Sequence, residues 1–476
     1  MSASSNKRVA IGISALNRGF TLVELMVAMT ISMLILISLV SVFVNSMRSQ
    51  NEIAGGNGLI ESGRYAIQIL QEDIVHSGFW GGYVPGFDDL NYAAVPGDMP
   101  VSIPNPCAAY STWDSNYRSS LIGMPIQSSD VLPTGSGCVA PLTKKADTDV
   151  LVVRHADTCV PGVGNCAVDV AGRLYFQPGF CAAERNAGVA QSATSQTITL
   201  SSSAAATNNV YKGLTIRTVS GTGAGQYRAI SAYDGSTRVA TLSTPWSVSP
   251  DGTTAYAFEY MFGTTSFPLH QRTCVGSGSP QTLPVSSGPI ASKRQYQSNI
   301  YYITDIAHPD KAGEFIPALV RSRFDFFNGS LAQLAPEVLI EGIEGFRVEL
   351  GIDNLSDTGA AVDYTGAVNW TDPTTKTSPS NRGDGAPDAF VRCTAGTPCT
   401  GAELSNVVAL KLYVLVRTRD PAPGYTDIKE YCLGELDAGG ACPAANLVGA
   451  FNDGYKRHVF TTSMRLTNIS GRRETP

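Results

Sequence analysis

This sequence of 476 residues contains ten cysteines, and their number and spacing indicate one chemistry most clearly. That chemistry is the oxidation of thiol pairs to disulfides. All of them follow a long apolar segment near the N-terminus, and none occurs before Cys107. Disulfides persist in oxidising compartments, so we expect this part of the chain to lie outside the cytoplasm. The sequence contains no C-x-x-C pair, so a cysteine-bound zinc site is not expected. Spacing favours Cys159 with Cys166, Cys393 with Cys399 and Cys432 with Cys442, which leaves Cys107, Cys138, Cys181 and Cys274 to pair among themselves.

Aspartates in a glycine-rich stretch, residues 353–390, form a second group that could do chemistry. Carboxylate oxygens are the hard ligands that calcium prefers. The stretch lacks the full EF-hand pattern, and aspartates are common in turns for backbone reasons alone. A calcium site is therefore only a weak prediction, with Asp353, Asp357, Asp384 and Asp388 as the candidate ligands. No other cofactor is expected.

Catalytic patterns are missing from the sequence. The five histidines are scattered, with no H-E-x-x-H, and no G-x-S-x-G nucleophile motif occurs. We therefore expect a protein that is not an enzyme. The net charge of -6 and the charged fraction of 16% also give no basic field for phosphate binding, so no nucleic-acid partner is expected.

An apolar segment over residues 20–44 contains a single charged side chain, Glu24. About 20 helical residues cross a hydrocarbon core, so these 25 residues are long enough to span a membrane. Three basic residues precede the segment, which predicts a single-pass protein with a cytoplasmic N-terminus and with residues beyond about 45 outside the membrane. A buried carboxylate is costly in a membrane, and we therefore expect Glu24 to have a partner.

The sequence RGFTLVELMVAM, residues 18–29, closely resembles the type IV prepilin signature. This resemblance implies that residues 1–19 are a leader, that a prepilin peptidase cuts after Gly19, and that the new N-terminal Phe20 is methylated. It also implies that Glu24, the fifth mature residue, pairs with the Phe20 ammonium group of a neighbouring subunit in a filament.

A second half of the N-terminal helix is predicted over residues 45–78. Apolar residues recur there at helical spacings, which predicts a stripe that packs on a sheet. Three glycines interrupt the pattern and predict a kink or a melted stretch. The stripe comprises Leu59, Gly63, Ala66, Leu70 and Ile74, and the interrupting glycines are Gly55, Gly56 and Gly58.

The stretch GRYAIQILQEDIVHSGFWGG, residues 63–82, resembles the segment that distinguishes PilW-type minor pilins. The resemblance implies an inner-membrane subunit with a periplasmic head that primes pilus assembly and then sits at the extracellular tip. Its expected partners are other minor pilins, the major pilin, a tip adhesin and the prepilin peptidase, in support of adhesion and twitching motility. A pseudopilin of type II secretion, J class, and a tip adhesin or glycan-binding subunit are the alternatives.

Segments of alternating apolar and polar residues predict the strands of an antiparallel head, so the fold class is α+β with the long helix packed on one face. Head segments are expected at 79–190 and 263–476. Between them, residues 191–262 are predicted to be an inserted all-β module. Within it, the run at residues 208–242 resembles a small β-rich unit of phage tail and bacterial surface proteins. The predicted strands lie at residues 148–155, 299–306, 345–353, 406–418 and 458–466.

Overall fold

The computed structural model of the protein describes residues 21–139, 143–265, 267–272, 274, 288–309 and 311–474. Two units are distinguished, one ending at Asn57 and the other beginning at Gly58. The predicted cleavage-site residues Gly19 and Phe20 lie outside the described residues.

Helices account for few of the described residues apart from one long N-terminal element. The α-helices are α1 (Leu22–Ile74), α2 (Ser115–Gly123), α3 (Ala182–Arg185), α4 (Gly401–Ser405) and α5 (Thr467–Arg473), with 3₁₀ turns at Gly86–Asp88, Tyr110–Thr112 and Ala444–Asn446. All three interrupting glycines of α1 are helical, so the predicted melted stretch is wrong. A cost of about 1 kcal/mol for each glycine does not outweigh the helical bonds of its neighbours.

Fourteen strands form the largest sheet of the described chain. They are β1 (Ile126–Ser129), β2 (Val150–Ala156), β3 (Tyr175–Pro178), β4 (Gly188–Val189), β5 (Ser192–Ala193), β6 (Thr197–Thr199), β7 (Leu214–Ser220), β8 (Tyr227–Asp234), β9 (Val239–Leu242), β10 (Ala255–Gly263), β11 (Arg294–Ala307), β12 (Phe315–Phe327), β13 (Ser330–Gln333) and β14 (Glu337–Glu341). The main path is β1-β2-β11-β3-β10-β7-β8-β9-β6-β5, with β12 also paired to β11.

A second sheet of four strands has the order β18-β15-β19-β22, and two small hairpin-like pairs join β16 to β17 and β20 to β21. The remaining strands are β15 (Ile343–Ile352), β16 (Trp370–Asp372), β17 (Thr377–Pro379), β18 (Ala389–Val391), β19 (Val407–Arg417), β20 (Glu430–Cys432), β21 (Leu447–Gly449) and β22 (Arg457–Arg465). The long strands pair antiparallel, β11 with β12 in the large sheet and β19 with both β15 and β22 in the second sheet. The α+β class and all five predicted strands are confirmed, as β2, β11, β15, β19 and β22.

The main hydrophobic core joins the second half of α1 to both sheets. The buried residues of α1 are Leu59, Gly63, Ala66, Leu70 and Ile74, which are the residues of the predicted stripe. They share one cluster with Leu151 of β2, Tyr301 of β11 and Leu412 of β19. The spacing of three and four places these side chains on one face of the helix, and this face is buried because both sheets supply apolar side chains against it.

The segment predicted as an inserted module contains β5 to β10 and has a hydrophobic core of its own, which extends from Cys181 to Leu269. Its sheet is continuous with that of the head, since β10 pairs with β3 through Tyr260↔Pro178 and Gly263↔Tyr175. β3 pairs in turn with β11. The module therefore extends the head sheet while packing around a separate core.

Candidate assembly site on the N-terminal helix

The first turn of α1 is closed by reciprocal hydrogen bonds between Thr21 and Glu24. The Thr21 hydroxyl accepts from the Glu24 amide at 3.2 Å, and the Glu24 carboxylate accepts from the Thr21 amide at 2.9 Å. This is the pattern of a capping box, which satisfies two amides that a helix start leaves free. The side-chain hydrogen bonds of Glu24 all use Oε2, and Oε1 has no partner within the part of the chain that the structure describes. Glu24 is thus held in place with one oxygen open to another group.

The apolar half of α1 is exposed along its whole length. Every residue from 21 to 50 is exposed, and none of the most apolar 18-residue window is buried. Within the described ranges, α1 is the one helix long and apolar enough to cross a membrane. So large an apolar surface requires a lipid or protein environment, because exposed apolar area is unfavourable in water.

The last turn of α1 carries a buried polar network that the sequence pattern did not reveal. The Asp73 carboxylate accepts hydrogen bonds from His155 Nε2 at 2.9 Å, Asn299 Nδ2 at 3.0 Å and Tyr301 Oη at 3.0 Å. His155 is on β2, and Asn299 and Tyr301 are on β11, so three strand side chains converge on one helix residue. Asp73 therefore helps to fix the rotation of the last helical turn about its axis and its position along β2 and β11.

The same network favours the charged form of His155. Burial lowers the pKa of His155, but the hydrogen bond and charge of Asp73 and the Ala156 carbonyl outweigh this effect, so the pKa is raised above its ordinary value. Both acceptors are oxygens, with Nδ1 2.9 Å from the Ala156 carbonyl oxygen. Both acceptors can be satisfied at once only when both ring nitrogens carry protons, as in imidazolium, which is the physical reason that the pKa of His155 is raised.

Two glycines allow close contacts around the second half of α1. A Cβ at Gly63 would lie 2.2 Å from the Phe460 ring of β22, so the ring packs directly on the helix backbone. Gly78, beyond the helix end at Ile74, has a φ of +72° and donates its amide to the Arg154 carbonyl. The helix predicted over residues 45–78 thus ends four residues early, at Ile74, where the chain turns so that Gly78 bonds β2.

The C-terminal helix α5 covers the end of α1. Asn468 Nδ2 donates to the Val75 and Ser77 carbonyls at 3.0 and 3.2 Å, which satisfies acceptors that a helix end leaves free. Arg473 is buried and donates to Asp88 at 2.8 Å and to Asp353 at 3.2 Å. Residues near the two ends of the head are therefore tied together beside the helix.

All ten cysteines are disulfide-bonded in the structure. The three local pairs are those that spacing favours, and the other four residues pair as two long-range bonds. Those bonds are Cys107 with Cys138 and Cys181 with Cys274, across sequence separations of 31 and 93. Five closed loops stabilise the head, mainly by restricting its unfolded chain.

The weak calcium candidates are engaged in other contacts. Asp353 accepts from Arg473 and from the Gly385 amide, and Asp388 accepts from the Asn354 amide. Asp384 caps the Ala386 amide, and Asp357 accepts from the Ser378 hydroxyl. Across the described ranges no group of three or more His, Cys, Asp or Glu residues is placed to hold a metal ion, and the four aspartates are not brought together as such a group. Turn formation explains their positions.

An exposed apolar helix whose second half packs into a disulfide-bonded antiparallel head is the architecture that the resemblance to pilins implies. Residues 300–468 match the family model of the type IV pilus-assembly protein W, and residues 14–40 match the prokaryotic N-terminal methylation motif. These two matches give the chain a PilW region and a prepilin-type N-terminal motif, and they support a type IV pilus-associated pilin. Comparisons with curated proteins and with solved structures gave no match.

Proposed function

We propose that this protein is a minor pilin that waits in the inner membrane, is cut after Gly19 by a prepilin peptidase, and then joins other minor pilins. The complex primes assembly of a type IV pilus and stays at its tip, with the major pilin and a tip adhesin as further partners. Binding of partners, rather than catalysis, is the activity, and it supports adhesion and twitching motility.

One observation carries this proposal: the exposed apolar half of α1 begins with a carboxylate that is held by Thr21 but keeps Oε1 free. In the processed chain, the methylated ammonium group of Phe20 on a neighbouring subunit is the partner that satisfies this oxygen. The N-terminal methylation motif covers both positions, which supports a processed Phe20. Before assembly the same helix anchors the subunit, with the N-terminus in the cytoplasm and the disulfide-bonded head in the periplasm.

The experiment is N-terminal sequencing of the mature protein together with a Gly19→Ala variant. The mature chain is expected to begin at N-methylated Phe20, and the variant is expected to stay in the membrane at precursor length without contributing to piliation. An unchanged gel mobility of the variant, or a mature chain with another N-terminus, would contradict the proposal. Ser14→Ala, in the leader, is a control that should be processed normally.

A further inference from the structure

A pocket opens between the turn that follows α1 and the start of β11. It has a volume of about 360 Å³, and all of its walls belong to the unit that begins at Gly58. The residues used here from its lining are Gly81, Phe180, Gln271, Arg272, Ser292 and Arg294. Pockets that hold small molecules have volumes of roughly 300–1,000 Å³. This pocket therefore has the size for a compact organic ligand.

Arg294, the first residue of β11, is held in position by the backbone around it. Its Nη1 donates to the Asp157 carbonyl at 3.1 Å and to the Thr158 carbonyl, and its guanidinium carbon lies 5.3 Å from the centre of the Phe79 ring. Nε and Nη2 of Arg294 have no hydrogen-bond partner among the described residues. Arg294 therefore keeps two donors unused on a wall of the pocket.

The same two guanidinium donors hold a carboxylate elsewhere in the head. Arg392 donates to the Asp149 carboxylate from Nε at 3.0 Å and from Nη2 at 2.7 Å. Two parallel bonds of this kind match the flat shape of a carboxylate and are stronger than bonds between neutral groups. A carboxylate on a ligand is therefore the acceptor that the open edge of Arg294 fits.

The pocket has two cations in its lining and no anion. Arg272 is exposed, and it makes no hydrogen bond or ion pair with any other residue that the structure describes. Asp157 acts on Arg294 through its charge, but its carboxylate accepts from the Cys159 amide at 2.8 Å and forms no ion pair with Arg294 in the described ranges. Residues 273–287, which follow Arg272 in the sequence, contain no Asp or Glu. A negative charge for this pocket therefore has to come from a ligand.

The other lining residues suit a sugar ring. Phe180 is half-buried and gives the pocket an aromatic wall for the apolar face of a ring, while Gln271 and Ser292 supply an amide and a hydroxyl for hydrogen bonds. Backbone groups of the walls are already used, since the Phe180 amide donates to the His270 carbonyl and the Gln271 amide to the Pro289 carbonyl. An extended peptide binds through backbone bonds, so recognition by side chains favours a compact ligand.

We propose that this pocket binds a carboxylated sugar, such as a uronic acid or sialic acid unit of an extracellular glycan. Arg272 and Arg294 bind the carboxylate. Phe180 packs against the sugar ring, and Gln271 and Ser292 bind its hydroxyl groups. Such a site lets the subunit contact acidic glycans directly and needs no other pilin, so it goes beyond the proposed function in pilus assembly.

Titration of the purified full-length protein in detergent micelles, followed by ligand-observed NMR, tests the proposal. The probes are the methyl glycosides of glucuronic acid and of N-acetylneuraminic acid, with methyl glucoside as the neutral counterpart. At least one acidic glycoside is expected to bind saturably and roughly tenfold more tightly than methyl glucoside, because hydrogen bonds to a charged group are the stronger ones. Equal binding of acidic and neutral sugars, or no saturable binding of either acid, would overturn the proposal.

Two competitors separate a sugar from other anions. Inorganic phosphate and a pentaglutamate peptide carry negative charge without a sugar ring, and both are expected to displace the bound acidic glycoside only weakly. Displacement by either competitor at the concentration at which the glycoside itself competes would mean that charge alone is recognised. That result would refute the assignment to a sugar.

Substitutions of the two arginines locate the binding. Arg272→Ala removes an exposed side chain without a partner in the described structure, so the fold should be kept while the affinity falls roughly tenfold. Arg294→Lys keeps the charge but not the two parallel donors, and a loss of similar size is expected. Arg64→Ala removes an exposed arginine from α1 and is the matched control, which should bind like the native protein.

Native affinity in Arg272→Ala, or in Arg294→Lys, would place the binding elsewhere and overturn the proposal. The melting temperature of each variant is measured alongside the titration. If Arg294→Lys is destabilised, the comparison of Arg272→Ala with Arg64→Ala decides alone.

Discussion

Asp73 and His155 form a buried pair that connects the end of the long helix to the large sheet, with 2.9 Å between Oδ1 and Nε2. The side chains are 12% and 8% exposed, so the pair has little contact with water. Asn299 and Tyr301 donate to the same carboxylate. Asp73 therefore adds a polar contact to the apolar packing that holds the last turn of the helix against the strands.

Asp73→Ala is expected to lower the free energy of unfolding of the head by roughly 2–4 kcal/mol, because three buried donors lose their acceptor. Chemical denaturation of the purified protein measures this change. Glu72→Ala, at the neighbouring exposed position, is the matched control and should change the free energy little. Equal effects of the two variants would show that the network does not stabilise the helix end.

The raised pKa of His155 predicts a pH-dependent stability. The folded state binds the proton more tightly than the unfolded state, whose pKa is the ordinary 6.5. The stabilisation is complete below pH 6.5 and is lost as the pH rises through the folded pKa. Denaturation curves between pH 5.5 and about 8.5 should show this loss in the native protein and not in His155→Gln. The same slope in both proteins would refute the assignment.

The contact between Gly63 and Phe460 predicts opposite effects of alanine at two glycines of α1. Gly63→Ala should destabilise the head by roughly 1–3 kcal/mol, because the new Cβ collides with the ring. Gly58→Ala meets no atom within 4 Å and should stabilise the helix by up to about 1 kcal/mol. Thermal unfolding followed by circular dichroism compares the two. A stabilised Gly63→Ala variant would mean that Phe460 moves aside without cost.

Two substitutions at Glu24 separate helix capping from charge pairing. Glu24→Gln can keep the capping box with Thr21 but loses the negative charge, whereas Glu24→Val loses both. Both variants are expected to be cleaved and to be absent from filaments, as measured by immunoblots of sheared pili. Normal incorporation of Glu24→Gln would show that capping matters and that pairing with an ammonium group does not.

Local periodicity was enough to predict much of this fold. The buried stripe of α1, the exposed apolar span, the five long strands and the three short-range disulfide pairs all follow from residues that are near one another in sequence. Helical spacing and strand alternation decide which side chains share a face, and this information is local. Two local predictions differed from the structure. The glycine-rich stretch stays helical because the helical hydrogen bonds of its neighbours continue through it, and the helix ends before residue 78 because Gly78 bonds Arg154 of β2.

The sequence by itself determined a membrane-type helix with one acid near its start and a disulfide-bonded β head, since these depend on composition and short spacing. Tertiary structure alone decided the network of Asp73, whose partners lie 82 to 228 residues away. It also decided the continuity of β10 with β3, the pairing of Cys181 with Cys274, and the pocket that Arg272 and Arg294 share. Such contacts depend on which distant segments become neighbours when the chain closes its core, and no local pattern records that choice.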